Sequence, residues 1–267
     1  MSDKNEILTQ WLHIPVEGDT SHQAMPAFLA RPAGRGEWPA VVLGFEMFGV
    51  TGYLREVAAQ VASAGYLAVV PDFYHWQSAG DSHTELAADA DGRARGLELV
   101  NGLQRWQVEA DVRATIAALA ARPDCTGETA MIGLSAGGHI AYYAATQAPL
   151  AALAVFYPGW LTSTEIGLSR PEPVLDATPG LAALGTPVLM LAGEDDHLYA
   201  PGDLTNIGDR LTQEGVRHDL VIYPDTPHGF ACFERDTYRP EAAADAWART
   251  FRLLAGNIGS GTIAHVH

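Results

Sequence analysis

The chain has 267 residues, of which 48% are hydrophobic and 18% charged, which is enough for one large α/β domain with a substantial core and argues against wholesale disorder. Its formal net charge is −16, and no basic stripe is present to neutralise phosphates, so a nucleic-acid partner is excluded.

The first third of the chain predicts a hairpin followed by alternating strands and helices. Two strand-like pieces flank a Gly-Asp turn within residues 15–34, which is typical of an antiparallel hairpin. Buried strands are predicted at 38–46 and 67–74, and residues 53–66 between them carry apolar side chains at helical spacing. Residues 75–103 are polar and weakly periodic, and we expect them to form a surface excursion near the site, with room for one short helix.

The remainder of the chain continues the alternation. The predicted elements are a helix at 104–123, a strand at 129–134, a helix at 136–148, strands at 150–159 and 186–194, a helix at 206–216, a strand at 218–225 and a helix at 242–256. Strands that alternate with helices indicate parallel crossover units. We therefore predict one α/β domain over 1–267, built on a mostly parallel sheet with helices on both faces, and a frayed tail at 257–267.

One motif stands between the strand at 129–134 and the helix that follows it. Residues 133–137 read Gly-Leu-Ser-Ala-Gly, which fits the G-x-S-x-G nucleophile elbow in the strand-to-helix context that the motif requires. A serine that projects its oxygen above a sheet sits on a sharp turn, so the neighbouring residues must be small. We interpret Ser135 as a nucleophile, and the alternative is an ordinary turn that contains a serine.

A serine hydroxyl is a poor nucleophile and needs a base that is oriented by an acid. In this kind of fold the order along the chain is Ser, Asp, His. The G-x-x-D spacing after the strand at 186–194 favours Asp196 as the acid, with Asp195 as its rival. His228, which follows the last predicted strand and precedes a glycine, is the predicted base, and His197 is the alternative.

The predicted oxyanion hole consists of two backbone N–H groups. One belongs to Ala136, directly after the nucleophile, and the other to Met47, in the loop 44–50 after a predicted strand. The sequence contains no H-E-x-x-H motif, no cysteine cluster and no phosphate-binding glycine loop with its lysine, so we expect neither a metal nor a cofactor.

The apolar runs and the cysteines of the sequence bear on the compartment of the protein. No apolar run reaches the roughly 20 residues that a membrane-spanning helix needs, so no membrane partner is expected. Cys125 and Cys232 lie far apart in sequence and are expected to be free thiols in a reducing compartment. We expect a cytoplasmic protein that is a monomer or a small homo-oligomer.

Five stretches together resemble the dienelactone hydrolase family of α/β-hydrolases. They are LARPAG, AVVLGFEMFGVTGYLREVAAQVASAGYLAVVPDFY, MIGLSAGG, AGEDDHLYAP and TPHGFACFERDTYRPEAAADAWARTFRLL. The resemblance spans nearly the whole chain. It implies an α/β-hydrolase fold and an enzyme that cleaves an ester or lactone of a small molecule.

The nucleophile departs from the pattern of the founding members, which carry a cysteine where this chain has Ser135. Family members also place a glutamate after the second core strand, and Glu46 matches it. In the cysteine enzymes that carboxylate helps to generate the thiolate, which is not possible for a serine with its much higher pKa. Three roles stay open for Glu46: contact with the resting Ser135 hydroxyl, contact with substrate, or ordering of the loop amides.

The substrate pocket departs as well. Two arginines bind the substrate carboxylate in the dienelactone enzymes, and this chain has Trp76 and Cys232 at those positions. A buried carboxylate without a partner is costly, so we predict poor activity on dienelactone acids unless Arg235 restores a positive charge. A more apolar or aromatic pocket is predicted instead, and the candidate residues are Phe48, Tyr53, Tyr74, Trp76 and Phe230.

The leading hypothesis is a cofactor-free serine hydrolase in which Ser135 attacks the acyl carbon, His228 transfers the proton and Asp196 orients His228. Two alternatives remain. The first is a lyase, cyclase or isomerase that uses Glu46 or His228 as a general base without an acyl-enzyme. The second is a non-catalytic binding protein on the same fold.

Overall fold

The computed structural model describes residues 6–18, 24–77 and 82–259. It begins with an antiparallel hairpin of β1 (Ile7–Ile14) and β2 (Met25–Pro32). The predicted hairpin is therefore present, but its first strand lies upstream of residue 15. All eight residues of that strand pair with β2, from Ile7 opposite Pro32 to Ile14 opposite Met25, and Trp11 packs edge-on against Phe28 with ring centroids 5.4 Å apart. Most of the predicted Gly-Asp turn lies outside the described residues.

Strands then alternate with helices as far as the end of the described chain, with two helices in succession at one point. They are β3 (Trp38–Gly44), α1 (Gly52–Ser63), β4 (Leu67–Pro71), α2 (Ala90–Gly102), α3 (Arg105–Ala120), β5 (Cys125–Leu134), α4 (Ala136–Gln147), β6 (Leu153–Phe156), α5 (Thr178–Leu184), β7 (Val188–Gly193), α6 (Asp203–Gln213), β8 (His218–Tyr223) and α7 (Pro240–Ile258).

All eight strands form a single sheet in the order β1-β2-β4-β3-β5-β6-β7-β8. The pairs from β4 through β8 are parallel, whereas β2 runs antiparallel to both β1 and β4. The predicted α/β class with a mostly parallel sheet is therefore confirmed. Because β3 to β8 run in one direction, their carboxyl ends meet at one edge of the sheet, where ligands bind in open α/β folds.

The segment 75–103 differs from its prediction, since α2 has 13 residues and is not a short helix. Asp89 caps it by accepting a hydrogen bond from the backbone N–H of Gly92 at 2.8 Å, and Leu99 and Val100 bury its inner face. The outer face is polar, so the average composition of the segment concealed the helix. Residues 78–81 lie outside the described part of the chain.

Two further helices depart from the sequence prediction. The short helix α5 was not predicted, although a proline in its first turn and Gly185 after its end are ordinary boundary signals. Helix α7 extends to Ile258, which is buried, so the start of the predicted tail is helical. The rest of that tail, from residue 260, is outside the described residues. No helix in the described ranges is long and apolar enough to cross a membrane.

Three glycines let the central elements approach closely beside the motif at 133–137. A Cβ atom on Gly44, at the end of β3, or on Gly133, in β5, would collide with the backbone of Gly137 in α4. Conversely, a Cβ on Gly137 would collide with the backbone of Gly44. The small residues of the motif thus allow the start of α4 to sit directly against the two central strands.

Candidate active site

Ser135 occupies the turn between β5 and α4 with strained backbone angles. Its φ is 55° and its ψ is −117°, which an L-amino acid adopts only when the surrounding structure enforces it. The N–H of Ser135 donates to the carbonyl of Phe156 on the neighbouring strand at 3.0 Å, which holds the turn in place. The side chain therefore projects from the carboxyl edge of the sheet, as in a nucleophile elbow.

His228 and Asp196 complete a chain of hydrogen bonds that starts at this serine. The Oγ of Ser135 lies 2.9 Å from Nε2 of His228, and Nδ1 of His228 lies 2.8 Å from Oδ2 of Asp196. The other oxygen of Asp196 accepts from the backbone N–H of Leu198 at 2.9 Å, so the carboxylate is fixed in orientation. The three residues follow β5, β7 and β8, and only folding brings them together.

The rival acid and the alternative base occupy different positions. Asp195 is exposed, and its backbone N–H donates to the carbonyl of Thr226, which orders the turn. Asp196 is buried and faces His228. The exposed ring of His197 packs edge-on against His228 with centroids 5.7 Å apart, beside the base.

The two candidate oxyanion donors lie on either side of the close approach between β3 and α4. Ala136 is the first residue of α4. Met47 lies in the turn after β3, where the N–H of Gly49 donates to the carbonyl of Glu46 at 3.1 Å. A trans peptide directs its N–H opposite to its C=O, so the N–H of Met47 points away from the interior of that turn.

Glu46 is buried beside the Ser-His-Asp chain and is held by two other groups. Its Oε2 accepts a hydrogen bond from Nη2 of Arg235 at 2.6 Å, and its Oε1 accepts from the hydroxyl of Tyr157 at 3.4 Å. Burial raises the pKa of Glu46, and the charges of Arg235 and His228 oppose that shift. The sequence left open whether Arg235 restores a positive charge to the site. In the structure the guanidinium of Arg235 reaches the site, but its charge is neutralised by Glu46.

Tyr157 is a site residue that the sequence analysis missed. It follows β6 with φ at 40°, and its ring packs edge-on against His228 with centroids 5.0 Å apart. Burial raises its pKa well above the ordinary value, so the hydroxyl keeps its proton and donates to Glu46. Its location at the carboxyl end of a parallel strand was the signal that could have identified it.

Cys232 and Phe48 surround the Glu46–Arg235 pair. Cys232 is 2% exposed, and burial followed by the charge of Glu46 raises the pKa of its thiol to about 11. The thiolate is therefore scarce at neutral pH, so Cys232 is not an alternative nucleophile. The guanidinium of Arg235 lies over the ring of Phe48, 5.3 Å from its centroid, and Phe48 is buried beneath it.

The other candidate pocket residues serve mainly as supports. Phe230 and Tyr74 have no exposed surface, so neither lines an open pocket. Phe230 packs against Tyr157, with centroids 5.2 Å apart. Trp76 is partly exposed, and its indole N–H donates to Asp111 at 3.0 Å. Tyr53 is buried and donates its hydroxyl to the carbonyl of Ala231 at 3.1 Å.

The topology, with a strained serine turn leading from a central parallel strand into a helix, is that of the α/β-hydrolases. Comparison with known proteins identifies the family within the α/β-hydrolases. The model of the dienelactone hydrolase family matches residues 25–257. The chain belongs to that family.

Individual relatives cover most of the chain. A carboxymethylenebutenolidase from a Pseudomonas species is 31% identical over 263 residues, which are 96% of this chain and 99% of the relative. A Synechocystis protein provisionally named carboxymethylenebutenolidase is 32% identical over 232 residues, 85% of this chain and 89% of that protein. The crystal structure of a Klebsiella pneumoniae protein provisionally named dienelactone hydrolase has a TM-score of 0.81 at 28% identity, covering 94% of this chain and 99% of its own.

Proposed function

We propose that this chain is a serine hydrolase that cleaves a carboxylic ester or lactone of a small molecule through an acyl-serine intermediate, without a cofactor. The observation that carries the proposal is the hydrogen-bond chain from Ser135 through His228 to the buried Asp196. The family supports the reaction class, because its relatives bear the name carboxymethylenebutenolidase, a lactone-cleaving hydrolase.

The chemistry follows from the geometry. Nε2 of His228 accepts the proton of Ser135 as Oγ attacks the acyl carbon, and then delivers that proton to the leaving alkoxide oxygen. Asp196 accepts from Nδ1, which fixes the tautomer with a free Nε2 and stabilises the imidazolium. A water molecule, deprotonated by His228, then attacks the acyl carbon, and Ser135 leaves with the returned proton.

The backbone N–H groups of Ala136 and Met47 are the proposed donors to the oxyanion in both tetrahedral intermediates. Both lie at the carboxyl edge of the sheet, where β3 and α4 meet at their closest approach. Donors that are fixed before the reaction stabilise developing negative charge without reorganising, which makes such a pair worth several kcal/mol.

Glu46 and Arg235 form a neutral pair next to the serine, and the proposed substrate is correspondingly uncharged at its acyl side. A carboxylate on the substrate would have to displace Glu46 from Arg235 at 2.6 Å and leave that buried acid without its partner. We therefore propose neutral esters or lactones as the preferred substrates, with Phe48 as an apolar neighbour of the pair.

The proposal extends to the domain organisation, the compartment and the oligomeric state. The whole chain, 1–267, is a single domain, since residues 7 to 223 contribute strands to one sheet. The two free cysteines, Cys125 and Cys232, suit a reducing compartment, which favours the cytoplasm. The protein works as a monomer or a small homo-oligomer.

Replacement of the proposed nucleophile tests the mechanism. Ser135→Ala is expected to lower kcat on p-nitrophenyl acetate by about 10⁴-fold or more, because the acyl-enzyme is not formed. A fluorophosphonate should add covalently to Ser135 in the wild type, as seen by mass spectrometry. The control is Ser63→Ala, on the exposed end of α1, which should retain both activity and labelling.

Two outcomes would contradict the proposal. Near-normal hydrolysis by Ser135→Ala would exclude Ser135 as the nucleophile. An enzyme that stays unmodified by the fluorophosphonate while turning over its own substrate would favour a lyase, cyclase or isomerase mechanism with His228 or Glu46 as general base.

A further inference from the structure

A strap of residues 82–86 lies across the loop that carries Met47. We call residues 46–50 the oxyanion loop and residues 82–86 the strap. The N–H of Val50 donates to the carbonyl of Thr84 at 2.8 Å, and the N–H of Leu86 donates to the carbonyl of Phe48 at 2.9 Å. Gly49 and Glu85 form an antiparallel bridge between these two bonds. The far end of the oxyanion loop is thus paired along its backbone.

Asp72, just after β4, connects the strap to the oxyanion loop through hydrogen bonds of its carboxylate. Its Oδ2 accepts from the N–H of Thr84 at 2.6 Å, and its Oδ1 accepts from the N–H of Tyr74 at 3.0 Å. Tyr74 in turn donates its hydroxyl to the carbonyl of Met47 at 3.2 Å. One carboxylate without exposed surface therefore anchors both arms that reach the loop.

The N–H of Met47 lies in the peptide plane that joins Glu46 to Met47, and the plane between Met47 and Phe48 restricts the rotation of the first. The plane before Met47 is held by the bond from Gly49 to the carbonyl of Glu46, and the plane after it is held by the hydroxyl of Tyr74. The Asp72 carboxylate accepts from the backbone N–H groups of Tyr74 and Thr84, and so acts on the carbonyl of Met47 and on the far end of the oxyanion loop. A displacement of about 1 Å at a reacting group costs up to 100-fold in rate.

We propose that Asp72 is a positioning residue, which sets the direction of the Met47 N–H toward the oxyanion through Tyr74 and through the strap at Thr84. This inference rests on the proposed function, because it concerns the oxyanion hole of a serine hydrolase. Asp72 touches neither the substrate nor Ser135 in this role, and acts only through the loop that it anchors.

The chemistry of Asn at this position makes Asp72→Asn a direct test. Both oxygens of Asp72 accept from backbone N–H groups, so the amide NH₂ of Asn faces one of these donors and that bond is lost. We expect kcat on p-nitrophenyl acetate to fall about 10- to 100-fold with KM changed less than about twofold. A boronic acid inhibitor, whose tetrahedral adduct places an oxygen in the oxyanion hole, should bind more weakly by the same factor.

A purely structural role for Asp72 predicts a different result. Thr186→Val is the matched control, because the buried hydroxyl of Thr186 donates to the carbonyl of Leu150 at the opposite edge of the sheet. It should lower the unfolding midpoint in urea while leaving kcat and boronate affinity unchanged. If Asp72→Asn behaves like this control, the inference is overturned.

Tyr74→Phe keeps the test decisive if Asp72→Asn does not fold. It removes only the hydroxyl that donates to Met47, and should lower kcat and boronate affinity together; unchanged values would overturn the inference. Failure of the proposed function is distinguishable, because a wild type that neither hydrolyses esters nor reacts with the fluorophosphonate excludes the serine mechanism before any variant is compared.

Discussion

At the scale of single residues, two neighbours of the same chemical type have opposite surroundings. Asp196 is 4% exposed and uses its two oxygens to accept from His228 and from the N–H of Leu198. Asp195 is exposed, and its hydrogen bond within the turn is made by its backbone N–H. These contacts are the reason for proposing Asp196, and not Asp195, as the acid that orients His228.

Asp196→Asn is expected to lower kcat by about 10⁴-fold, because an amide in this place favours the wrong tautomer of His228. Asp195→Asn is the matched control and should keep kcat within about twofold of the wild type. Steady-state hydrolysis of p-nitrophenyl acetate measures both. Equal losses in the two variants would show that the assignment of the acid is incorrect.

At the scale of elements, helix α4 connects the site to the rest of the molecule. Its start packs against β3 and β5 through Gly137, and two residues later His139 reaches the loop after β6. Nδ1 of His139 lies 2.9 Å from the carbonyl of Gly159, and Nε2 lies 3.0 Å from the hydroxyl of Ser169. Burial lowers the pKa of His139 to about 4.

Gly133→Ala tests the close approach of strand and helix. The added methyl group would meet the carbonyl of Gly137, so we expect a loss of about 3 kcal/mol or more in the free energy of unfolding. Gly256→Ala in α7 is the control, since a Cβ there meets nothing within 4 Å, and it should stabilise by about 0.5 to 1 kcal/mol. Urea denaturation measures both, and a Gly133→Ala protein as stable as the wild type would refute the close contact.

His139 of α4 is expected to lower the free energy of unfolding in acid. Its folded pKa of about 4 lies below the ordinary value of 6.5, so the unfolded chain binds the proton more readily. The contribution of neutral His139 to the free energy of unfolding is complete above pH 6.5. It is lost as the pH falls toward 4, and the loss amounts to about 3 kcal/mol. In His139→Gln the unfolding free energy should depend less on pH across this window, whereas His13→Gln, on exposed β1, should retain the wild-type dependence. The same slope in both variants would contradict this role of His139.

At the scale of the whole molecule, the net negative charge bears on the proposed choice of substrate. The chain carries 32 acidic and 16 basic side chains, and the guanidinium that reaches the site, Arg235, is already paired with Glu46. The summed negative field repels anionic substrates during their approach. Long-range repulsion and the local ion pair therefore both support the proposed preference for neutral esters and lactones.

Salt dependence tests this field. For the anionic ester p-nitrophenyl hemisuccinate, kcat/KM is expected to rise several-fold between about 10 mM and 300 mM NaCl, because salt screens the repulsion. For the neutral p-nitrophenyl acetate, kcat/KM should remain unchanged over the same range. A fall in kcat/KM for the anionic ester on adding salt would indicate attraction and contradict the proposed preference.

Local sequence patterns were sufficient to predict the fold class and the site features that lie within a single segment of the chain. Alternating strand and helix periodicities predicted the mostly parallel sheet, and the G-x-S-x-G motif located the strained turn at Ser135. The order of Asp and His along the chain then selected the carboxyl ends of two later strands. These features were readable because each depends on residues that are neighbours in sequence.

Only the tertiary structure decided which of these side chains meet. It placed Asp196 and not Asp195 against His228, brought Arg235 onto Glu46 from 189 positions away, and laid Thr84 over the oxyanion loop on the carboxylate of Asp72. No periodicity or motif encodes such contacts, because they depend on how distant loops pack at one edge of the sheet. The sequence alone determined an α/β-hydrolase with a serine turn, and packing determined the surroundings in which that serine lies.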